Sequence, residues 1–282
     1  MAYGTVVADV VQSSVTGVSL GAGDATLLKN RLIDAGFIIN QRGYVSGTSL
    51  SAGTYAHDRW KAGASGCTYT FTQGSLGVPI VITITAGSLQ QIIEGCNMPD
   101  GGTFTLSWTG TAQGRVNGGG YSTSPLIVTG LTAGSNCTVE FNTGTCSFPQ
   151  LEVGSSATGF EYRQYGQELA LCQRYCPAFG TNTGGQASYV GQSYDTTASI
   201  IPIPFPVQAR VSPTGVTVTG TFNSSTTNFG NGGTYSSVGW FQGTPNVGTV
   251  LCSGGSAYTV GSATLLVYKD ATSKIIFTGC EL

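Results

Sequence analysis

Apolar and polar residues alternate in several short segments of the chain, and glycine-rich residues separate these segments. Residues 80–85 read IVITIT, and residues 103–108 read TFTLSW. A two-residue period puts every second side chain on the same face, as in an antiparallel strand with one buried face. Glycines at 101–102, 118–120 and 144 mark the turns between such strands. The pattern predicts half-buried antiparallel strands joined by tight turns.

Roughly eight such segments lie between residues 31 and 162, which is typical of a two-sheet jelly roll. After Pro177, further strands are predicted at 216–221, 238–242, 263–269 and 275–279. The sequence therefore predicts an all-β protein: a jelly-roll β-sandwich plus a second smaller β-sandwich, joined by one short helix. The predicted parts are an N-terminal anchoring arm (1–30), the jelly-roll domain (31–165), the linking helix (166–177) and the C-terminal β-sandwich (178–282).

The predicted helix covers residues 167–175, where good helix formers cluster without glycine or proline. Pro177 ends it, because a proline ring cannot continue a helix. At 3.6 residues per turn, one face carries Leu169, Cys172 and Cys176 and another carries Leu171 and Tyr175. A helix this short is marginal alone in water. We therefore expect it to pack between two β modules, or between copies of the chain.

Prolines occupy alternate positions 202, 204 and 206 in the predicted strand 199–210. Each proline lacks the amide proton that a central strand would donate to its neighbour. This segment is therefore predicted to lie at a sheet edge or between subunits.

Composition excludes several classes of function. The 282 residues include 43 glycines, only 9% are charged, and the net charge is −2 without any Lys/Arg cluster. Nucleic-acid binding is not expected, because it needs clustered cations. The most apolar run, residues 78–86, is too short to insert into a membrane. Residues 1–30 contain no basic and apolar signal-peptide pattern and are weakly patterned, which favours an arm that orders against a neighbour.

Eight cysteines and one histidine occur in the chain, and no C-x-x-C pair is present. A zinc site is poorly supported by this spacing, and no metal or other cofactor is expected. The favoured interpretation of the cysteines is buried free thiols. The alternative is disulfides formed in an oxidising exterior, within a chain or across a symmetry axis. The candidates for such bridges are Cys172, Cys176, Cys137 and Cys146.

Catalytic chemistry has little support in the sequence. His57 and Asp58 are adjacent, so on an extended chain they point to opposite faces and do not form a dyad. The tripeptide Asp58-Arg59-Trp60 is interpreted as structural, with Trp60 in the core. The 13 acidic residues include no marked pair for glycoside hydrolysis. No catalytic residue is predicted; the rival hypothesis is a polysaccharide depolymerase that depends on Asp58 or Glu94.

Sugar binding needs exposed aromatic rings beside amide or hydroxyl groups. Tyr121 lies in the turn-like GGGYSTS, and Tyr235 and Trp240 lie near Asn- and Gln-containing loops. These three residues are the candidate ligand contacts, whereas Trp108 alternates with the core set and is predicted to be buried. The alternative is that the aromatics cover a core or a subunit interface.

Three parts of the chain resemble a known family. Residues 150–154 (QLEVG), Ala157-Thr158, Phe160-Glu161 and residues 165–175 (YGQELALCQRY, where Gln167 is not part of the match) resemble a signature of structural proteins of tailed bacteriophages. Gln41-Arg42-Gly43 with Asp58-Arg59-Trp60 resembles the opening of the same domain, and Phe205 between prolines is similar to a segment of phage fibre C-terminal domains. Cys176 departs from the family, which has an aromatic there.

The resemblance implies a jelly roll similar to carbohydrate-binding modules and a virion location. The expected function is a non-enzymatic phage structural protein, a tail fibre or spike that recognises host surface glycan. The alternative is a capsid-decorating or head-fibre protein that binds only virion subunits. The arm, the proline-edged strand and the helix would leave surface exposed on one chain. The resemblance adds a homotrimer to this, with the arm binding other virion proteins.

Overall fold

The computed structural model describes residues 29–180, 186–225, 233–255 and 258–282, without the side chains of residues 186–188. The predicted arm, residues 1–30, therefore lies outside the described residues except for its last two. The chain divides into two compact units. The first comprises Met1–Ile38 and Tyr44–Tyr165, and the second comprises Ile39–Gly43 and Gly166–Leu282. Almost all regular structure is antiparallel strand, which confirms the predicted all-β class.

The described part of the first unit contains eight strands and a single 3-10 turn at Gly95–Asn97. The strands are β1 (Ser49–Leu50), β2 (Lys61–Phe71), β3 (Ile82–Ile93), β4 (Gly102–Thr109), β5 (Gly114–Val116), β6 (Leu126–Leu131), β7 (Cys137–Phe141) and β8 (Gly144–Val153). Their order is β1-β2-β3-β8-β4-β6, and β7 pairs with β3 and β5. The number of strands agrees with the sequence prediction.

Strand β8 connects two groups of strands around the core. One group contains β1, β2, β3, β5 and β7, and the other contains β4 and β6. Its first residues pair with β3, as in Cys146 opposite Ile82. Its later residues pair with β4, as in Leu151 opposite Leu106. Apolar side chains from both groups form one core, which includes Trp60, Tyr69, Phe104, Phe141 and Leu151. The prediction that Trp60 and Trp108 are buried agrees with their exposures of 0% and 6%.

A bulge between β2 and β3 reverses which side chains of β3 face the core. Ile82 and Ile84 are buried before it, and Leu89 and Ile93 are buried after it. At Gly87 (φ +69°), a Cβ atom would lie 2.0 Å from the carbonyl oxygen of Gly66. Only glycine fits this close approach of two backbones. The alternation of apolar residues therefore changes phase within a single strand.

From their sequence, the apolar residues Leu32, Ile33, Phe37, Ile38 and Ile39 predict a buried strand broken by Gly36, but the segment does not form one. Leu32 and Phe37 are fully buried, but the backbone turns at Asp34 and Phe37, which have φ of 51° and 52°. The N–H of Phe37 donates to the carbonyl of Asp34 over 3.0 Å, and the N–H of Ile38 donates to the Asp34 carboxylate over 2.8 Å. The carboxylate of Asp34 thus stabilises a turn where a strand was expected.

Asp58-Arg59-Trp60 is part of the interior, in agreement with the structural interpretation of this motif. All three residues are at most 1% exposed. The indole N–H of Trp60 donates to the Asp34 carbonyl over 2.9 Å, and the Arg59 guanidinium donates to the Ile92 carbonyl. These side chains connect the irregular segment and β3 to the core.

The described part of the second unit contains nine strands in two sheets. They are β9 (Ala178–Gly180), β10 (Gln186–Ser193), β11 (Ala198–Pro204), β12 (Gly215–Thr219), β13 (Phe222–Ser225), β14 (Tyr235–Thr244), β15 (Val247–Gly254), β16 (Ala263–Tyr268) and β17 (Lys274–Thr278). The larger sheet has the order β13-β16-β10-β11-β15-β14, and the smaller has the order β12-β17-β9. A separate apolar core, including Ile201, Val250, Leu266 and Phe277, lies in this unit.

The prolines of β11 lie along a partly open edge. β11 pairs with β15 over its whole length, but it pairs with β10 only at Ser199 and Ile200. The N–H of Phe205 donates to Asn246, in the turn before β15, over 2.8 Å. Because amides two residues apart point the same way, Pro202 and Pro204 direct their proton-free nitrogens to the side that β10 leaves unpaired. The edge prediction is correct for this half of the strand.

The only helix in the described residues, α1 (Tyr165–Gln173), belongs almost entirely to the second unit. It begins two residues before the predicted start and ends two before the predicted end. Glu168 and Cys172 are its buried residues, and Tyr175 is buried just beyond it. Leu169 and Leu171 are half-buried, so neither predicted apolar face is fully covered within this unit. No helix of the described segments has the length and apolar character that a membrane crossing requires.

All eight cysteines lie in the described residues and are free thiols, and seven of them are buried. Cys137 lies opposite Ile93 and Cys146 opposite Ile82 on the same strand. At about 3.3 Å per residue, these positions are on the order of 30 Å apart, whereas a disulfide needs Cα atoms within about 7 Å. Cys172 and Cys176 are joined by a backbone hydrogen bond of 2.9 Å but not by a bridge. The seven buried thiols therefore occupy the interior as small apolar groups.

Candidate functional site

A cavity of about 310 Å³ opens on the surface of the first unit. Aromatic rings and neutral polar side chains surround it, and no charged side chain lines it. The lining residues are Ser107, Trp108, Thr109, Phe148, Gln150, Ala157, Thr158, Phe160 and Tyr162. They come from β4, β8 and the loop that follows β8. We call this cavity the aromatic pocket.

Three rings of the aromatic pocket pack edge to face. The centroids of Phe148 and Phe160 are 5.1 Å apart, and those of Phe160 and Tyr162 are 5.0 Å apart at an interplanar angle of 89°. Such pairs prefer this geometry because the positive ring edge meets the negative ring face. Tyr162 is 70% exposed, so its ring is the one most available to a ligand.

Phe148 reaches the aromatic pocket because of a bulge between β4 and β8. Ser107 lies opposite Gln150 and Thr109 lies opposite Ser147, so two residues of β8 face one of β4. Phe148 has φ of 53°, a left-handed conformation that costs a non-glycine residue about 1–2 kcal/mol. Bulges and strained backbone often re-aim side chains at binding sites. The ring points into the cavity as a result.

A buried polar network fixes the loop that carries Phe160 and Tyr162. Gln150 and Glu152 are 1% and 4% exposed. The Gln150 amide donates to Glu152 Oε1 over 2.9 Å and to the Gly159 carbonyl over 3.2 Å. The N–H of Glu161 donates to Gln150 Oε1 over 2.8 Å. Because the Gln150 and Glu152 side chains are almost fully buried, water competes little for the hydrogen bond between them.

Thr158 completes the network at the edge of the aromatic pocket. Its N–H donates to Glu152 Oε1 over 2.8 Å, and its hydroxyl donates to Glu152 Oε2 over 2.6 Å. Lys29 donates to the same hydroxyl over 2.6 Å. The Glu152 carboxylate is therefore covered by Thr158 and does not face the cavity. The aromatic pocket presents a neutral surface to a ligand.

The start of the described chain is held against this loop. The N–H of Asn30 donates to Glu161 Oε2 over 2.6 Å, and the Asn30 side chain donates to the Pro149 carbonyl over 3.1 Å. Arg163 pairs with Glu161 over 3.1 Å and donates to the Leu32 carbonyl over 2.9 Å. The signature residues Gln150, Glu152, Thr158 and Glu161 thus form one connected support for the aromatic pocket.

Tyr121, a predicted ligand contact, lies on a different surface of the first unit and is half-buried. The Arg115 guanidinium lies 4.4 Å from the centroid of its ring. Burial raises the pKa of the Tyr121 phenol, and the nearby Glu140 carboxylate raises it further. Arg115 also pairs with Glu140 over 2.6 Å, and Ser88 donates to Glu140 over 2.5 Å.

This second surface is a row of polar side chains across four strands. Lys61, Gln90, Glu140 and Arg115 occupy directly paired positions on β2, β3, β7 and β5. At the other end of the row, the Lys61 ammonium lies 5.5 Å from the centroid of Tyr55. The row is polar, and its Glu140 carboxylate is already bound by Arg115 and Ser88. It is a weaker candidate for binding than the aromatic pocket.

Tyr235 is buried, which corrects its prediction as a surface ligand contact, whereas Trp240 is half-buried. Tyr235 is 6% exposed and belongs to the core of the second unit. Trp240 packs against the same core, with its ring centroid 6.1 Å from that of Phe277. The adjacent loop residues 226–232 lie outside the described residues. Among the described residues of this unit, Tyr194 and Phe241 form an exposed ring pair, with centroids 6.0 Å apart.

The sequence interpretation missed Phe148, Phe160 and Tyr162. A usable signal was present in residues 154–162 (GSSATGFEY), where two aromatics follow a run of small polar residues. Such a run predicts a loop, and aromatics in a loop have no strand partner to pack against. The contribution of Phe148 had no such signal, because it depends on the bulge.

The residues considered for catalysis do not form a site. His57 and Asp58 are fully buried, so neither can contact a polysaccharide in this conformation. Glu94 precedes the 3-10 turn and is half-buried. Within the described ranges, no group of three or more His, Cys, Asp or Glu side chains is placed to hold a metal ion.

No protein-family model, no curated protein and no solved structure matches this chain. The aromatic pocket is therefore interpreted from its own geometry. Exposed rings stack on the C–H face of a sugar, and neutral hydroxyls bind its hydroxyl groups. The volume falls at the lower end of the range of small-molecule pockets, which suits one sugar residue at a time.

Proposed function

We propose that this chain is a non-enzymatic structural protein of a phage virion, of the tail-fibre or spike type, whose first unit binds host surface glycan in the aromatic pocket. The observation that carries the glycan-binding proposal is the exposed Tyr162 ring in a neutral, preformed cavity. The cavity walls are held by buried hydrogen bonds, so little ordering is needed when a ligand binds.

The polar groups of the aromatic pocket divide into two kinds. Gln150 and Thr158 use their side-chain hydrogen bonds to hold the loop. The hydroxyls of Ser107 and Thr109 make no side-chain hydrogen bond to any residue that the structure describes. We assign these two hydroxyls to the ligand. A neutral sugar fits this set better than an acidic one, because the lining contains no cation.

The virion location is supported by the resemblance of residues 150–175 to the phage signature. Gln150, Glu152, Thr158 and Glu161 of that signature hydrogen bond to one another or share partners, so the match falls on a connected structural element. A fold alone does not identify a function, and we base the phage assignment on these residues together. The homotrimer follows from the same resemblance.

A second candidate is a capsid-decorating or head-fibre protein that binds only virion subunits. The observation that favours it is the loop between β2 and β3, where Leu76, Val78 and Val81 are 78%, 51% and 55% exposed. Adjacent exposed apolar side chains are typical of surfaces that another protein covers. This candidate would leave the aromatic pocket without a glycan ligand.

Binding of neutral host-surface oligosaccharides to the purified chain tests the proposal. The wild-type protein and the variants Tyr162→Ala and Tyr194→Ala are compared on a glycan array and then by calorimetry. We expect equal binding by the wild type and Tyr194→Ala and weaker binding by Tyr162→Ala. Absence of binding by the wild type on the array would reject the glycan site.

Averaged cryo-electron microscopy maps of the particle distinguish the two candidates. Density at the tail supports the fibre, and density on the capsid surface supports the decorating protein. Light scattering tests the trimer: a mass three times 28.9 kDa is expected, and a monomer mass at micromolar concentration would exclude it.

A further inference from the structure

A smaller cavity, of about 90 Å³, opens on another part of the first unit. It lies where the loop after β6 meets the start of β7 and the turn after β5. Its lining includes three buried side chains, Met98, Leu131 and Cys137, and two exposed asparagines, Asn117 and Asn136. None of its described lining residues is charged. We call this cavity the amide pocket.

The amide pocket is separate from the aromatic pocket. Leu131 lies opposite Gly102, at the start of β4, whereas Ser107 and Thr109, at the end of that strand, line the aromatic pocket. At about 3.3 Å per residue, the strand from Gly102 to Ser107 spans roughly 16 Å. The two cavities share no lining residue. Each can therefore be altered by substitution without changing the lining of the other.

The buried side chains of the amide pocket form an apolar floor. Met98, Leu131 and Cys137 are 1%, 9% and 2% exposed. Burial raises the pKa of the Cys137 thiol to about 11, so this thiol is neutral at neutral pH and acts as a small apolar group. A ligand gains free energy when an apolar group covers such a floor, because apolar surface is removed from water.

Hydrogen bonds fix both asparagine side chains at the rim of the amide pocket. Asn136 Oδ1 accepts from the Gly95 N–H over 2.8 Å, and Asn117 Oδ1 accepts from the Thr138 N–H over 2.8 Å. Because a backbone N–H can only donate, these bonds also identify the oxygen end of each side-chain amide. Neither side-chain N–H2 group donates to any residue that the structure describes. Two oriented donors are therefore available to a ligand.

We propose that the amide pocket binds the acetamido group of an N-acetylated amino sugar. The carbonyl oxygen of the group would accept from the N–H2 groups of Asn117 and Asn136, and its methyl would cover the apolar floor. Its own N–H would donate to the hydroxyl of Ser135, which also lines the cavity. The choice of a sugar as the carrier of this group rests on the glycan binding proposed for the first unit.

The size and charge of the amide pocket exclude other ligands. Its volume is far below the range of pockets that enclose a whole small molecule, so it suits a single functional group. A carboxylate would present similar acceptor oxygens, but it would lose its hydration without meeting a cation. A hydroxyl group in place of the acetamido group would leave the apolar floor uncovered. A neutral acyl amide satisfies the donors and the floor together.

Titration of the full chain with the methyl glycosides of N-acetylglucosamine and of glucose tests the proposal. These two ligands differ only in the acetamido group that replaces one hydroxyl. We expect the N-acetylated glycoside to bind at least about threefold more tightly, as for one or two neutral hydrogen bonds. Saturation-transfer NMR should show the acetamido methyl as the part of this ligand in closest contact with the protein.

The variant Asn136→Asp tests the pocket itself. Aspartate keeps the Oδ1 acceptor for the Gly95 N–H and removes the N–H2 donor, so the preference for the N-acetylated glycoside should fall to about threefold less or disappear. The matched control is Asn142→Asp. Asn142 Oδ1 also accepts from a backbone N–H, that of Gln113, over 2.8 Å, but Asn142 does not line the cavity. The control should keep the preference.

The variant Tyr162→Ala separates this inference from glycan binding in the aromatic pocket. The preference for the N-acetylated glycoside should persist in this variant, because Tyr162 does not line the amide pocket. Equal affinities for the two glycosides, or no binding of the N-acetylated one at millimolar concentration, would overturn the amide pocket, while the glycan array still decides the aromatic pocket. A preference that survives Asn136→Asp, or that Tyr162→Ala abolishes, would overturn it as well.

Discussion

The phenol oxygen of Tyr69 lies 2.6 Å from Nδ1 of His57, and both side chains are fully buried. The backbone N–H of His57 donates to the same oxygen over 3.3 Å. The Tyr69 hydroxyl can therefore donate its own proton to Nδ1, which requires a neutral imidazole with its proton on Nε2. Burial lowers the pKa of His57 to about 4. Burial therefore favours the uncharged histidine in the folded protein.

We expect the stability of the first unit to fall as the pH decreases from about 6.5 to 4. The unfolded chain binds the proton with a pKa of about 6.5, and the folded chain binds it only near 4. The contribution of the neutral His57 to the free energy of unfolding is about 3 kcal/mol in total. It is complete above pH 6.5 and is lost as the pH falls toward 4. Urea unfolding between pH 4.5 and 8 measures it.

The control for this titration is His57→Gln, because His57 is the only histidine in the chain. The Thr272 hydroxyl lowers the pKa of Asp270 to about 2. The protonation of Asp270 therefore affects stability only below the pH range in which His57 does. The variant should lose most of the pH dependence above pH 5, whatever its stability at pH 8. An equal slope in the two proteins would disprove the assignment.

In the aromatic pocket, Tyr162→Ala should weaken sugar binding with little effect on folding. An aromatic contact contributes about 0.5–1.5 kcal/mol, which corresponds to roughly a two- to tenfold weaker affinity. Because Tyr162 is 70% exposed, its removal should leave the melting temperature nearly unchanged. Calorimetric titration and thermal unfolding measure the two effects. A large loss of stability would mean that the ring is structural.

Replacing Glu152 by alanine should destabilise the loop beneath the aromatic pocket. Glu152 accepts hydrogen bonds from the Thr158 N–H, the Thr158 hydroxyl and the Gln150 amide. Alanine leaves these donors unpaired, at a cost of about 1–3 kcal/mol for a buried group. Glu152→Gln keeps an acceptor oxygen and should cost less. Denaturant unfolding compares the variants, and equal stability of both with the wild type would refute the role of the network.

The strands of the first unit were predictable because their alternation is strong. Residues 103–108 form most of β4 with Phe104 and Leu106 buried, as the pattern indicates. The bulge near Gly87 was not predictable, since it depends on the approach of Gly66 from another strand. The same limit applies to Phe148, whose direction depends on the pairing of β4 with β8. Sequence periodicity reports local geometry, and bulges are set by partners distant in sequence.

In the second unit, the positions of Tyr235 and Trp240 also depend on strand pairing with residues distant in sequence. These residues are five apart, so a regular strand would direct them to opposite faces. Register shifts follow both Tyr235 and Trp240 on β14, and both rings pack against one core. The sequence placed both residues near Asn- and Gln-containing loops, although Trp240 falls within the predicted strand 238–242. Strand pairing with β15, which the sequence prediction missed, decides their positions.

Thiol reactivity should distinguish Cys96 from the other cysteines. Cys96 is exposed and the other seven are buried; burial raises the pKa of Cys67 to about 12 and of Cys137 to about 11. A thiol-reactive dye should therefore react with one thiol in the folded protein and with eight in denaturant without reductant. Fewer than eight thiols in denaturant, or a gel mobility that changes with reductant, would instead indicate disulfides.

Gly248 in β15 should not tolerate a methyl group. A Cβ atom there would lie 2.2 Å from Cε1 and 2.5 Å from Cζ of Phe277. Phe277 is 1% exposed and its ring centroid is 5.0 Å from that of Phe205, so the ring has little room to move. Overpacking of this kind costs about 1–3 kcal/mol, and Gly248→Ala should lower the denaturation midpoint accordingly.

The matched control is Gly239 on the neighbouring strand β14, where a Cβ atom would meet nothing within 4 Å. Gly239→Ala makes the same chemical change in open space, and it reduces the freedom of the unfolded chain. Its midpoint should equal or slightly exceed that of the wild type. If both variants unfold at the same denaturant concentration, then Phe277 does not pack against Gly248 as described, and the aromatic core of the second unit must be arranged differently.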